Sequence, residues 1–478
     1  MKVDTVFISG SFVSLHLGHF RLFRFAKDIG KRLVVGLNAI DTRLRDPSLI
    51  ERMSALDSID LIDQVLIVEP DLASVLTKLR PDIVLKGAEY KKVVNLESKL
   101  VSKWGGRVIF GSGEGTHIIE VSSSSTRPPK FLNNLVFPEE ARAWDDTSPE
   151  ELKQIVSKFS NLSVLVIGDL IVDEYIDCDA LGMSREDPTI VVAPRSSTRF
   201  IGGAGIVAAH GQKLGAKSRY IAITGFDESA EYADSVLSHL NVQHYLIKDE
   251  TRPTTTKRRY RSEGKTLLRV NQFRQHDPPK SITKSILNLA IDLIEKSDVL
   301  IFSDFNYGCL PENLTNTLIK HAKRGSIFCA ADSQSSSQIG NVARFWGMGL
   351  ISCTEYEARL ALSDQRSGLS ALGVNLAKRT KASNLILKLG ASGVLLVPPN
   401  IPPHKLQSIP SVNKNPKDVA GAGDSLLIAS SLSLACGASL RQAGVIGSIA
   451  AGLQTSRIGN MPLDQADLVT AIGDLAIL

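Results

Sequence analysis

The sequence predicts an α/β protein of two domains, each a parallel sheet wound with helices, and three observations lead there. At 478 residues the chain exceeds what one ordinary core accommodates. Short apolar, β-branched runs alternate with amphipathic stretches in both halves, which is the pattern of βα units. Between the two sets lies a join that begins at Pro128-Pro129 and ends in the acidic, turn-rich Asp145-Asp146-Thr147-Ser148-Pro149-Glu150. We therefore place a first domain at residues 1–130, a linker at 131–150 and a second domain at 151–478. Ser148 as N-cap, Pro149 at the first helical position and the acids behind them start the helix that enters the second domain.

With 43% apolar and 22% charged residues the chain has the composition of an ordinary globular protein. A net charge of +5 is small over this length and points to anionic small molecules, with no nucleic-acid partner. The cysteines (Cys178, Cys309, Cys329, Cys353, Cys436) are scattered and never form a Cys-x-x-Cys pair, which argues against a disulfide framework and a zinc knot. No apolar run approaches a membrane span, and Met1-Lys2-Val3-Asp4 leads into a strand without an apolar leader core. The expected location is cytoplasmic, with no membrane partner.

In the first domain, Val6 to Phe12 is a buried first strand entering a glycine turn, and Phe20 to Ala26 is the helix that follows. Between them lies His16-Leu17-Gly18-His19. Two imidazoles around a glycine at a helix N-terminus can donate to a phosphate, and Gly18 lets it approach the backbone; a pair of solvated or capping histidines is the bland alternative. Leu33–Asn38 and Gln64–Val68 are further parallel strands. Lys86, near the end of Arg80–Tyr90, would by itself be a strand-end lysine reaching solvent. Ser122 to Ser125 would by itself be a flexible linker.

The second domain opens with the strand Val164–Gly168, followed by Asp169 and, four residues on, Asp173. Gly202-Gly203-Ala204-Gly205 is a second glycine landmark. Ile190–Ala193, Thr254–Tyr260 and Leu267–Val270 have β composition but stand outside the βα alternation. Val299–Asp304 and Ser326–Asp332 are strands ending in Asp, where ligands gather in open parallel sheets. The organising stretch is Asp418-Val419-Ala420-Gly421-Ala422-Gly423-Asp424. A Gly-Ala-Gly turn at a helix mouth leaves backbone N–H groups for an anion, and Asp424 beside it is placed to take a proton from a hydroxyl attacking a phosphate. A glycine loop with Asp424 as a first-turn dipole partner is the competing reading.

This stretch resembles the D-x-x-G-A-G-D signature of the ribokinase-type (PfkB) carbohydrate kinases, and Asp169, Gly202 and Gly203 follow in that family's order. The resemblance implies a ribokinase-like α/β domain whose extra strands form a small sheet that lids the sugar site and pairs subunits into a homodimer. It makes Asp424 the catalytic base, with Gly421, Ala422 and Gly423 holding the transferred phosphoryl group. It assigns Asp169, Asp173, Gly202 and Gly203 to the sugar. By the same analogy Lys257 and Arg269 contact a phosphate already on the sugar, or stand as solvated cross-strand charges. Leu385-Ile386-Leu387-Lys388-Leu389-Gly390-Ala391-Ser392-Gly393 matches the nucleotide-side turn, so Lys388, Gly390 and Gly393 face ATP, unless Lys388 is merely exposed. Thr354-Glu355-Tyr356-Glu357 is similar to the element that orders Mg2+, here through Glu355 and water, although Ser352 stands where that element has Asn. Ile206, Tyr307, Gln334 and Ser448 also replace the polar residues of typical members.

In the first domain, Gly10-x-Phe12-x-x-x-His16-x-Gly18-His19 resembles the signature of the cytidylyltransferase-like nucleotidyltransferases, with Val13 in place of an Asp. That resemblance implies a Rossmann-like domain in which His16 and His19 stabilise the α-phosphate of a nucleoside triphosphate as pyrophosphate leaves. Lys86 would neutralise phosphates. Ser122, Ser123 and Ser124, with Arg127 behind them, would hold the β- and γ-phosphates. Taken together, the halves resemble the bifunctional enzymes of ADP-heptose synthesis with the domains in the opposite order. Sugar phosphate and nucleoside triphosphate are then substrates, ATP among them, with Mg2+ as cofactor. The alternatives are another sugar or CTP, or one half, most readily the kinase, reduced to a binding module.

Overall fold

The structure is a computed structural model, and it describes residues 3–12, 19, 22–23, 26–27, 29–38, 49–57, 59, 61–68, 71–87, 96–111, 147–335, 339–413 and 415–474. The chain divides into two units, Met1–Pro129 and Lys130–Leu478.

The first unit holds the strands β1 (Val3–Gly10), β2 (Gly30–Asn38), β3 (Gln64–Val68), β4 (Ile83–Gly87) and β5 (Arg107–Gly111). They lie in the order β3-β2-β1-β4-β5, all parallel. The winding reverses between β1 and β4, and in such sheets ligands bind beyond the carboxyl ends at that reversal. Alternate residues face opposite sides. Val6 and Ile8 join one core with Phe23 and Leu33, while Phe7 joins the other with Val34, Leu76 and Val84. The first strand was expected to reach Phe12 but stops at Gly10. Phe12 takes a left-handed φ of 44°, and its ring folds back so that a Cβ on Gly10 would lie 3.1 Å from it.

The second unit is built on a nine-stranded sheet. Its strands are β6 (Ser163–Gly168), β9 (Lys217–Thr224), β10 (Gln243–Lys248), β13 (Val299–Asp304), β14 (Phe328–Ser333), β15 (Leu350–Thr354), β16 (Leu385–Lys388), β17 (Val394–Val397) and β18 (Gln407–Ile409). The order is β10-β9-β6-β13-β14-β15-β16-β17-β18, parallel except for the antiparallel pairings of β17 with β16 and β18. Both faces are covered, as the apolar runs require. Val164 and Val166 pack into the core that holds helix Ala422–Ala435, whereas Leu165 and Ile167 pack against helices Lys280–Ile294 and Glu312–Arg324.

A separate four-stranded sheet, in the order β12-β11-β7-β8, contains β7 (Leu170–Met183), β8 (Ile190–Gly203), β11 (Thr255–Ser262) and β12 (Lys265–Gln272). The segments 190–193, 254–260 and 267–270 do leave the βα alternation, as their composition suggested. Two features were not foreseen. Strand β8 continues to Gly203, and β7 follows β6 after a single residue, so the lid hangs directly from the sheet.

Helix Ala422–Ala435 is apolar all round because it is enclosed, with every residue from Asp424 to Ser433 buried. Its serines are satisfied locally: Ser431 Oγ donates to Leu427 O at 2.6 Å and Ser433 Oγ to Ala429 O at 2.8 Å.

Gly168, at the end of β6, has no room for a side chain, because a Cβ there would sit 1.9 Å from the Ser303 carbonyl oxygen. Gly168→Ala should therefore cost roughly 2–4 kcal/mol through displacement of β13. Urea unfolding of the full chain followed by tryptophan fluorescence checks this, and an unchanged midpoint would contradict the close packing of these two strands.

Candidate functional site

A cleft of about 880 Å³ lies between the nine-stranded sheet and the lid, where β15 and β16 end at Thr354 and Lys388. One wall is the mouth of helix Ala422–Ala435. Gly421 caps it with φ 74°, a conformation in which a side chain is strained. A Cβ there would also meet Asn460 Oδ1 at 2.4 Å. Gly421, Ala422, Gly423 and Asp424 all line the cleft, so a helix start and a carboxylate share one surface.

Asp424 is 5% exposed. Burial pushes its carboxyl up to about 7; Asp332 adds to the rise, and Lys388 and Lys257 oppose it. A base poised near neutrality is suited to taking a proton from a hydroxyl. Asp332 is likewise pushed up to about 7, first by burial, although the Lys388 ammonium stands 2.5 Å from its Oδ2. Gln334 Nε2 donates to Asp424 Oδ1 at 3.4 Å.

The opposite wall is the lid. In the β11–β12 register Arg259 lies across from Arg269 and Lys257 across from Asn271, so Lys257, Arg259 and Arg269 present on one face. All three line the cleft. Arg259 pairs with Asp173, which also accepts from Asn460 Nδ2 at 3.2 Å. Lys257 is 7% exposed and makes no ion pair with any described residue. Its ammonium rests 5.4 Å and 5.5 Å from the ring centroids of Phe305 and Tyr307.

The structure brings Asp173, Gly203, Lys257, Arg269, Lys388, Gly390, Gly393, Gly421, Ala422, Gly423 and Asp424 to this one cleft. Gly202 stands behind it, where a Cβ would press on Asp173 Oδ2 at 2.4 Å. Asp169 does not line it. That carboxylate accepts the backbone N–H groups of Phe305 (2.8 Å), Tyr307 (3.2 Å) and Cys309 (3.0 Å), and so holds the loop after β13. Lys388 is not exposed but paired with Asp332. The carboxylate assigned to Mg2+ also needs correction. Glu355 is turned away onto Arg359 at 2.7 Å, whereas Glu357 is 6% exposed and lines the cleft. Thr354 and Glu357 form a capping box, which sets the register of the helix and points Glu357 inward.

Of the atypical residues, Ile206 is enclosed in the core and Tyr307 lies behind the cleft wall, while Gln334 and Ser448 line the cleft. Ser448 Oγ and Asn460 Oδ1 are buried there without a partner among the described residues, which is where a ligand's polar groups would be satisfied.

In the first unit, Gly10, Phe12 and His19 gather beyond the end of β1. The His19 ring lies 5.2 Å from that of Phe12 and 6.4 Å from that of Phe23. Lys86 Nζ lies 2.5 Å from Glu97 Oε1. Arg52, buried at 3% exposure, ties the ends of two strands by donating to Ser11 O at 2.6 Å and Asn38 O at 3.4 Å. His16, Gly18, Val13, Ser122, Ser123, Ser124 and Arg127 lie outside the described residues.

The family model of the pfkB family carbohydrate kinases matches residues 161–466, which is more than half of the chain and contains the whole cleft. The chain belongs to the pfkB carbohydrate kinase family. A cytidylyltransferase-like family model matches residues 7–126, so this pfkB-family protein also carries a cytidylyltransferase-like domain. It is 29% identical over 327 residues to the bifunctional protein HldE of Desulfatibacillum aliphaticivorans, covering 67% of this chain and 65% of that relative. With the HldE of Koribacter versatilis it shares 29% over 324 residues, covering 67% and 65%. The chain thus spans just under two thirds of the length of these relatives. Among solved structures it resembles phosphofructokinase-2 from Escherichia coli (TM-score 0.56, 17% identity, 66% of this chain and 99% of that one). Arabidopsis thaliana ribokinase is similar in the same way (TM-score 0.52, 15% identity, 65% and 98%). These likenesses establish the ribokinase-like fold.

Several cleft residues of this pfkB-family domain escaped the sequence reading. Arg259 was legible as the residue two beyond Lys257 in the same strand, and Glu357 as the fourth residue of a Thr-x-x-Glu capping box. Asn460 left no local signal, since it meets Asp173 across 287 residues.

The buried base has a consequence for stability. Its carboxyl is raised from 3.8 to about 7, so the folded chain binds a proton that the unfolded chain releases. Stability from this group is full below pH 3.8 and is lost as pH rises through about 7. Asp424→Asn should therefore stabilise the protein at pH 8, by roughly 1–3 kcal/mol, and give no gain at pH 4. Urea midpoints at the two pH values decide it; a gain equal at both contradicts the buried charge.

Proposed function

We propose that the chain phosphorylates heptose 7-phosphate at its anomeric hydroxyl to the 1,7-bisphosphate and, after a separate phosphatase has hydrolysed the 7-phosphate to inorganic phosphate, joins the resulting heptose 1-phosphate to a nucleotide, with ADP-heptose and pyrophosphate as products. The observation that carries the kinase half is the cleft itself. A buried carboxylate at a glycine turn faces a strand-borne trio of cations, one of which, Lys257, is buried without an ion pair among the described residues. Burying an unpaired ammonium is costly, and an anionic group on the substrate offsets that cost. Asp173, Gly202, Gly203, Lys257, Arg259 and Arg269 then hold the sugar phosphate.

Asp424 takes the proton from the attacking hydroxyl, and the oxygen forms a bond to the γ-phosphorus of ATP as the bond to ADP breaks. Gly421, Ala422 and Gly423 steady the transferred group, while Gly390, Gly393 and Ser448 face the nucleotide. Mg2+, when bound, would supply positive charge to the ATP phosphates. Glu357, with both oxygens already oriented by the amides of Ser335 and Thr354, is suited to holding it through water.

In the first unit His16 and His19 donate to the α-phosphate of a second nucleotide, supported by Gly10, Gly18, Lys86, Ser122, Ser123, Ser124 and Arg127, and pyrophosphate leaves. The two activities stand in reversed order relative to the usual fusion. Exposed Leu181, Met183, Ile190, Leu268 and Val270 on the lid support a homodimer through that sheet. The location is cytoplasmic. A second reading, another sugar phosphate or CTP, is favoured by Gln334, which presents an amide to the base where typical members carry a lysine.

Purified full chain given heptose 7-phosphate with ATP, and separately heptose 1-phosphate with ATP or CTP, with ADP and pyrophosphate followed separately, tests both halves. We expect ADP release with a rate that rises from pH 6 to pH 8, and pyrophosphate release with ATP. Asp424→Asn should cut ADP release at least 100-fold without touching pyrophosphate release from heptose 1-phosphate, and His19→Ala should do the reverse by at least tenfold. Turnover only with another sugar phosphate or CTP would establish the second reading. No ADP release with any sugar phosphate would leave the kinase half a binding module.

A further inference from the structure

Lys388 occupies a position that the cleft's chemistry does not otherwise explain. Its side chain is buried to 12% exposure, in a strand end that needs no ammonium for packing. Its hydrogen-bond partner among the described residues is Asp332 Oδ2, at 2.5 Å. An ammonium carries three donors, so two remain. They lie beside the glycine turn: a Cβ built on Gly423 would be 3.2 Å from Lys388 Nζ, and both residues line the cleft. Asp332 is 1% exposed, and its other oxygen, Oδ1, has no hydrogen-bond partner among the described residues. A buried pair left half-satisfied on both sides is unfavourable unless a third charged group completes it.

We propose that Lys388 is a further catalytic residue of the kinase half, its ammonium contacting the transferring phosphoryl group at the Gly421–Gly423 turn while Asp332 acts as the positioning residue that holds it there. The inference rests on the kinase reading above and adds to it a side-chain cation where the glycine turn offers only amides. During transfer the sugar oxygen forms its bond to the γ-phosphorus, the bond from that phosphorus to the ADP oxygen breaks, and the hydroxyl proton passes to Asp424. Lys388 stays protonated throughout. Negative charge on the three equatorial oxygens is met by Lys388 from below and by the helix amides from the side. Placing Asp332 beside Lys388 keeps the ammonium from pairing directly with Asp424 and silencing the base.

The test uses the full chain and a probe that does not depend on which sugar is bound. ADP binding is measured by calorimetry with Mg2+, with and without aluminium fluoride, which forms a mimic of the transferring phosphoryl group. In the unaltered protein fluoride should tighten ADP binding at least tenfold. Lys388→Met, which keeps the buried volume, should leave ADP binding within threefold and abolish the fluoride increment. With a turned-over sugar phosphate, the same variant should lower kcat at least 30-fold and move the acid limb of the rate profile to higher pH, because a cation near Asp424 is gone. Asp332→Asn should move that limb to lower pH, because an anion is gone; a merely structural role gives no such opposite shifts. Lys388→Ala should regain at least fivefold in kcat with ethylammonium, in a saturable manner. An undiminished fluoride increment in Lys388→Met, or limb shifts of the same sign, overturns the proposal alone. If the unaltered protein shows neither a fluoride increment nor turnover, the kinase reading fails and this inference falls with it. Should Lys388→Met not fold, Lys388→Arg is read by the same increment, which a displaced guanidinium should reduce and a structural cation should preserve.

Discussion

The geometry of the second unit depends on the carboxylate of Asp418. It accepts the Tyr175 hydroxyl at 2.6 Å and the Gly459 amide at 3.0 Å through one oxygen, and the Ala420 amide at 3.1 Å through the other. Those three donors come from the lid strand β7, from the loop after helix Leu440–Thr455, and from the glycine turn itself. One side chain therefore ties the lid to the phosphate-side turn. Burial, followed by the hydrogen bond to Asp418, keeps the Tyr175 hydroxyl protonated and donating. Gln454 Nε2 adds to this anchor by donating to Ala420 O at 3.3 Å.

Charge in the cleft is arranged in layers. Asp332, Glu357 and Asp424 supply negative charge on the sheet side, balanced by Lys388 within it and by Lys257 from the lid. Burial first, and then the charge of neighbouring carboxylates, raises the carboxyls of Asp332 and Asp424 to about 7. The lid carries the complementary cations, with Arg259 paired to Asp173 and Lys257 in no ion pair with a described residue, its ammonium resting over the rings of Phe305 and Tyr307.

The first unit solves its own positioning problem by strain. Phe12 takes a left-handed backbone at the point where β1 ends, and its ring packs between Gly10, His19 and Phe23. A bulky residue in that conformation costs about 1–3 kcal/mol and persists only where the surroundings hold it. Here the aromatic cluster does so, and it orients the His19 ring beside the carboxyl edge of the sheet, where the winding reverses. Arg52 serves the same edge by clamping the carbonyls of Ser11 and Asn38.

Much of this was determined by the sequence alone. The short apolar, β-branched runs alternating with amphipathic stretches indicated the parallel strands and the two-sided cores, and the glycine turn with Asp424 was legible because its chemistry is local: a glycine cap, a helix start and a carboxylate within four residues. What only the tertiary structure decided is the rest of the cleft. Glu355 and Glu357 are two residues apart, and only the helix register set by the Thr354 cap says which faces inward. Asp169 and Asp173 look alike in sequence, yet one is consumed by three amides of a loop more than 130 residues away and the other meets the lid cations. Lys388 could be read as facing ATP or as merely exposed, and only the tertiary structure brings Asp332 of β14 beside it. Local backbone preference is written in neighbouring residues, whereas the partner of a buried charge is chosen by packing between distant segments, and no short window of sequence contains that choice.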